Sequence, residues 1–185
     1  MAGSASALTP RAREVVGIAR VLLEREGPSG LSMRAIAAGL GIKAPTLYQH
    51  VADTGALEVA LIAAGLEEIA EAFESATAGA ADPLSAIARE YRRFALAHPH
   101  LYRLMMDRPL PREQLPAGLE DRAGSVLVAA VGGDPDRARA AFALAHGMVS
   151  LELNDRFPPG ADIGAAWEAG LAAVASQGGR MRDRA

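Results

Sequence analysis

Apolar residues recur every three to four positions in nearly every long segment of this chain. That is the period of a helix with one buried face. Sustained alternation and β-branched runs are missing, and aromatic residues make up only 4% of the chain, which points away from an all-β fold. Helix 1 is predicted from Thr9-Pro10, a cap followed by proline at the first helical position, with Val15, Ile18, Ala19 and Leu22 as its stripe. Gly27-Pro28-Ser29-Gly30 ends it. Ser32 caps helix 2, about Met33 to Leu40; Gly41 makes a turn; helix 3 spans about Ala44 to His50. Asp53 caps helix 4, which extends to about Ser75. Helix 4 has two opposed apolar faces, one with Leu57, Leu61 and Ala64, the other with Ile62, Leu66, Ile69 and Phe73. A helix of this kind reads as a connector between two packing units.

Asp82-Pro83 starts helix 5, with Leu84, Ile87, Tyr91 and Phe94 on one stripe, and His98-Pro99 breaks it. A short helix then runs to Met106, and one long helix is expected from about Arg112 to Val131. Gly132-Gly133-Asp134-Pro135 is a stop followed by a start. Helix 8 covers about Pro135 to Asn154, with one stripe of Phe142, His146, Val149 and Leu153 and another of Ala141, Leu144, Met148 and Leu151. Helix 9, about Ile163 to Ala175, is almost uncharged. The expected fold class is therefore all-α. An N-terminal three-helix helix-turn-helix domain (1–53, helix 1 from about 10) is joined by a connecting helix to a C-terminal helical bundle. The bundle (54–178) would bind an effector and dimerise, and a flexible Arg-rich tail (179–185) would fray.

Composition narrows the chemistry. There is no cysteine, so disulfides and thiolate metal sites are impossible. The first ten residues lack the basic start and apolar block of a signal peptide. No uncharged apolar run reaches the roughly 18 residues of a membrane span. A soluble, cytoplasmic protein with no membrane partner is expected. Charge is uneven: residues 1–55 carry six basic and four acidic side chains, whereas the remainder carries 13 basic and 18 acidic. An acidic body with a mildly basic N-terminal end suits a protein that meets a polyanion at that end.

The run Leu31 to Val51 concentrates the candidate chemistry. Ile36, Ala37, Leu40, Ile42 and Leu47 are spaced to form a small core against helix 1. Lys43, Ala44, Pro45, Thr46 and Gln49 then face outward at the start and front of helix 3, where a helix-turn-helix reads base edges. Gln can bind adenine bidentately, and Thr can donate, accept or touch a thymine methyl. Tyr48 and His50 carry polar tips that can reach phosphates, which fix register. Ser32 and Arg34 at the start of helix 2 are further phosphate candidates. Alone, His50 reads as a helix C-cap and Tyr48 as a packing residue; the joint spacing is what points to double-stranded DNA.

These residues carry a resemblance. Residues 10 to 57, with Gly27, Leu31-Ser-Met-Arg-Ala-Ile-Ala, Leu40-Gly-Ile, Leu47-Tyr-Gln-His-Val51 and Asp53, closely resemble the DNA-binding domain of the TetR (tetracycline-repressor) family. Ala145-His-Gly-Met-Val-Ser-Leu-Glu152 with Arg156-Phe-Pro-Pro is similar to a C-terminal ligand and dimer domain in part of that family, although Ala145 stands where Trp often precedes the His-Gly pair. The resemblance implies a symmetric all-α dimer on a pseudo-palindromic operator, usually released by a small molecule. Thr54 stands where the family often has a phosphate-contacting Lys, and Val51 replaces the usual Phe.

An effector pocket is expected from Tyr91, Phe94, His98, Met105, Phe142, His146 and Trp167, apolar groups with a few polar handles. Helices 8 and 9 (about 135–154 and 163–175) carry more apolar surface than one core needs, so a homodimer through both is expected. No catalytic residue, metal ligand set or cofactor is expected, because no Glu-x-x-His pair, phosphate loop or nucleophile triad occurs. His98-Pro-His100 hints faintly at a metal and reads better as a loop cap. The function expected is a ligand-released repressor. The alternatives are a DNA binder with no ligand, or a helical small-molecule-binding protein or enzyme.

Overall fold

A computed structural model describes residues 9–176, and the expected tail lies outside the described residues. Among these there are nine α-helices, two short 3-10 turns and no strand. The helices are α1 (Pro10–Glu26), α2 (Met33–Gly39), α3 (Ala44–Leu47), α4 (Thr54–Thr77), α5 (Pro83–Ala97), α6 (Pro99–Met106), α7 (Leu119–Ala130), α8 (Pro135–Leu153) and α9 (Ile163–Ser176).

Side-chain caps set most of the starts. The Thr9 hydroxyl accepts from the Ala12 N–H at 3.2 Å, and the Ser32 hydroxyl from the Ala35 N–H at 3.2 Å. Asp53 caps α4 through Ala56 at 2.8 Å, and Asp134 caps α8 through Asp136 and Arg137 at 2.9 and 3.1 Å. Each cap satisfies a first-turn N–H that the helix cannot pair internally.

Two expectations about helices are corrected. The long helix from Arg112 to Val131 is instead a 3-10 turn at Arg112–Gln114 followed by α7 from Leu119. Pro116 cannot continue a helix that still needs its N–H, and Gly118 takes φ +77°, a left-handed conformation that ends one element before the next begins. Helix 3 is one α-turn, Ala44–Leu47, after which Gln49 N–H donates to Thr46 O at 3.3 Å and His50 N–H to Leu47 O at 2.9 Å. The chain tightens to i→i+3 bonding there, as helix ends commonly do.

The described chain divides into two compact units, residues to 68 with 98–120, and residues 69–97 with 121 onward. In unit 1, Val15, Ala19 and Leu23 of α1, Ile36 and Ala37 of α2, Leu47 of α3 and Leu57 and Leu61 of α4 are almost fully buried. Each of the valine, leucine and isoleucine side chains contributes roughly 1.5–3 kcal/mol by leaving water, and the alanines less. In unit 2, Leu84, Val131, Ala138 and Ala141 form a core flanked by Leu127, Val128, Leu171 and Val174. Helix α4 passes from unit 1 to unit 2 between Glu68 and Ile69. Its two packing environments therefore succeed each other along the helix, with Leu57 and Leu61 in one and Ile69 and Phe73 in the other.

Helix α8 is buried along its small residues. Neither predicted stripe is buried as a whole, since Phe142 is 44% and Leu151 42% exposed. The buried stripe is Ala138, Ala141, Ala145 and Val149. Small alanines let α8 sit close to its neighbours, and a pattern search weighted toward large apolar residues passes over them.

Candidate nucleic-acid interface

The α2–turn–α3 segment is built from both ends. Ser32 starts α2, and Leu40 N–H closes its last turn on Ile36 O at 3.0 Å. Gly41 then takes φ +66°, where a side chain would strain the backbone. Ile42 N–H returns to Ala37 O at 3.0 Å, fixing the chain's exit from the turn. Leu47 and Ile36 are fully buried, while Leu40 and Ile42 of the expected small core are only partly so. With Leu47 turned inward, Pro45 and Thr46 of α3 face outward.

Lys43, Pro45, Thr46, Tyr48 and Gln49 are exposed, Tyr48 at 53%, and Ala44 and His50 are half-buried. None of their side chains forms a hydrogen bond or ion pair among the described residues. Arg34 is likewise exposed without an ion pair there, and the Ser32 hydroxyl is engaged as the α2 cap. The segment thus offers a cation, a hydroxyl, an amide and a phenol close together, with nothing among the described residues to satisfy them. Such groups can hydrogen-bond to base edges and phosphates.

The expected effector residues divide between the two units. In unit 2, Tyr91 and Phe142 meet edge to face at 5.9 Å, and Phe142 stacks on His146 at 6.3 Å. Phe94 and Trp167 are buried in the same unit. His98 and Met105 belong to unit 1, where His98 Nε2 lies 3.7 Å from a Glu68 oxygen and Met105 packs on Gly65. One cleft of about 380 Å³ lies between α1 and α2 beside Ile18, Val21 and Ala38, and another of about 520 Å³ lies in unit 2 beside Leu84, Val131 and Leu171. Neither is lined by any of the seven. No cluster of three metal-ligating side chains occurs among the described residues, and no helix there is long and apolar enough to cross a membrane.

Unit 2 also holds a polar network that periodicity passed over. The Glu152 side chain is 6% exposed and accepts both Arg92 Nε (3.0 Å) and Nη2 (2.7 Å), while Trp167 Nε1 donates to it at 2.8 Å. Three helices, α5, α8 and α9, are joined at one carboxylate. Its signal in the sequence is position: Glu152 continues the stripe of Ala145 and Val149, and a charge on a buried stripe requires a partner. Arg137 acts similarly, donating to Val131 O and Ala175 O, each at 2.9 Å, where α7 and α9 end. Elsewhere in unit 2, hydrogen bonds from Ser85 hold the Asp82 carboxyl below its ordinary value, and the Arg122 guanidinium does so for Glu74.

Comparison with known proteins agrees with this geometry. Residues 17–57 match the family of bacterial regulatory proteins called the tetR family, and residues 84–174 match the tetracyclin repressor-like C-terminal domain. The uncharacterized HTH-type transcriptional regulator Rv0681 of Mycobacterium tuberculosis is 31% identical over 149 residues, covering 75% of this chain and 68% of that protein. The HTH-type transcriptional regulator Rv1816 of the same organism is 29% identical over 124 residues, 64% of this chain; the match spans 52% of that relative's length. Among solved structures, a TetR variant from Acinetobacter baumannii AYE in complex with minocycline is similar at 26% identity and a TM-score of 0.61, over 88% of this chain and 93% of that one.

Proposed function

Because the chain belongs to the TetR family of DNA-binding transcriptional regulators, we propose that it is a repressor whose homodimer holds a pseudo-palindromic operator and is released by a small apolar ligand. One observation carries the DNA-reading part. Leu47 is fully buried while Lys43, Thr46, Tyr48 and Gln49 around it stand exposed and, among the described residues, unpartnered. In this reading Thr46 and Gln49 contact base edges, with Ala44 and Pro45 close enough for methyl contacts. Tyr48, His50, Lys43, Arg34 and the Ser32 hydroxyl contact phosphates. Residues 1–53 form the reading domain and 54–178 the body. Thr54 supplies no cation, so the phosphate count is one lower than with Lys at that position.

The dimer runs through α8 and α9. Ala140, Ala143, Phe142 and Leu151 of α8 and Ala165, Ala169 and Ala172 of α9 are exposed, an apolar surface of mostly small side chains that allows close helix approach. The effector reading is supported by the Tyr91–Phe142–His146 aromatic cluster and by the minocycline carried by the Acinetobacter relative.

Selection of binding sites from random DNA tests the proposal. The expected outcome is a pseudo-palindrome with half-sites about one helical turn, or a multiple of it, apart. Retention without sequence preference, or no retention, overturns it.

A further inference from the structure

Helix α6 begins without a cap from its own neighbourhood. Pro99, its first residue, has no N–H, and the His98 side chain makes no cap bond. Tyr102 N–H donates to His98 O at 2.8 Å, which leaves two first-turn donors to place. Both go to α1. His100 N–H donates to Glu24 Oε2 at 3.2 Å, and Leu101 N–H donates to Glu24 Oε1 at 2.8 Å. One carboxylate, 76 residues back in the chain, closes the start of α6 with both its oxygens. Its negative charge also sits at the positive end of the helix dipole.

The surroundings tighten this joint. The His100 ring lies 3.4 Å from where a side chain on Gly27 would begin, at the end of α1. Leu101 is fully buried beside Gly65 of α4. On its other side α1 packs on α2, and Val15 and Ala19 of α1 and Ile36 of α2 have no exposed surface.

We propose that Glu24 is a positioning residue that ties α6 to the DNA-reading helices, so that the state of one is felt by the other. The proposal rests on the reading that α2 and α3 bind DNA. A two-oxygen clamp fixes α6 in both translation and rotation relative to α1, whereas water at the same donors would fix neither. Linkage is reciprocal: if the position of α6 changes DNA affinity, bound DNA must change how readily α6 opens.

Amide hydrogen exchange of the full chain, with and without the selected DNA, tests this. In wild type, DNA should slow exchange at the α6 amides by about tenfold, within the usual range of coupling between sites. The double variant Glu24→Ala/His98→Ser should lose that DNA-induced slowing, because the second change gives α6 a hydroxyl cap of its own while the tether is gone. Glu24→Gln, which keeps one acceptor oxygen, should fall between. His98→Ser alone should retain the slowing, which separates the result from the loss of the His98–Glu68 contact. A double variant that still shows the wild-type slowing overturns the proposal, because Glu24 would then be only a cap. Wild type that binds the DNA and shows no slowing overturns it as well. Wild type that selects no DNA overturns the DNA reading instead, a distinguishable failure.

Discussion

The α2–turn–α3 surface and the Arg92–Glu152–Trp167 network use polar side chains in opposite ways. In the network every polar group answers another: Glu152 accepts from Arg92 and from Trp167, and it is 94% shielded from water while doing so. At and beside α3, the side chains of Lys43, Thr46 and Gln49 answer nothing among the described residues. A buried polar group must be satisfied within the fold, so its partners are structural. An exposed polar group on a rigid turn costs the fold nothing and remains available to a partner. Substitutions in the two regions should therefore separate stability from DNA binding.

The largest effect is expected at the network. Glu152→Ala removes the acceptor for two helices and leaves the Trp167 N–H buried without a partner. Arg92 is 38% exposed and can be rehydrated, so the loss should fall somewhat below that of a fully buried pair, at about 2–3 kcal/mol. Denaturant unfolding measures it, and Trp167, the only tryptophan, reports the local change by fluorescence. A loss under about 0.5 kcal/mol would show that the network is solvated and would remove the contrast.

Gln49→Ala should do the converse. Stability should stay within about 0.5 kcal/mol, as for other surface positions. Operator affinity should fall by about 1–3 kcal/mol, with discrimination relaxed at a single base pair of each half-site. Binding assays on the selected site and its point variants check this. Equal loss on every DNA sequence would reassign Gln49 to phosphate contact.

The same contrast governs what could be read from the sequence. The α2–turn–α3 geometry was legible because its signals are local: Ser32 as a cap, Gly41 as a turn, Leu47 as the inward anchor, with polar residues at fixed offsets between them. The caps at Thr9, Asp53 and Asp134 were legible for the same reason. The body was less so. Its stripe on α8 is alanine, which periodicity weighs little, and its polar joints link residues 15, 60 and 76 positions apart. The Glu24 carboxylate serves a helix whose own sequence shows only a histidine before a proline. Nothing in a local window announces a cap supplied from another helix. The break at Pro116 and Gly118 was in plain view, and the apolar run of α7 outweighed it.

Lys43→Ala sharpens the comparison at smaller scale. It should weaken binding to all DNA sequences alike by about 1 kcal/mol and reduce the slope of log affinity against log salt by about one. Titrations at several salt concentrations check this. An unchanged slope would place Lys43 away from phosphate.

The smallest effects set two caps side by side, Ser32 of α2 and Asp82 of α5. Each accepts from the N–H three residues on, at 3.2 Å for Ser32 and 3.1 Å for Asp82. Removing either with alanine should cost about 0.5–1 kcal/mol at neutral pH. Their pH dependences should differ. Hydrogen bonds from Ser85 favour the ionised Asp82 carboxyl, so its folded-state value lies below the ordinary 3.8. Its contribution is then fully present above pH 3.8 and is lost as pH falls through the lower folded value. The deficit of Asp82→Ala relative to wild type should therefore shrink in acid, whereas that of Ser32→Ala, a neutral cap, should not. Denaturant unfolding of both variants between pH 3 and pH 7 checks this. A Ser32→Ala deficit that shrinks with it would trace the acid response to the fold as a whole, whereas divergence of the two would place it at the Asp82 carboxylate.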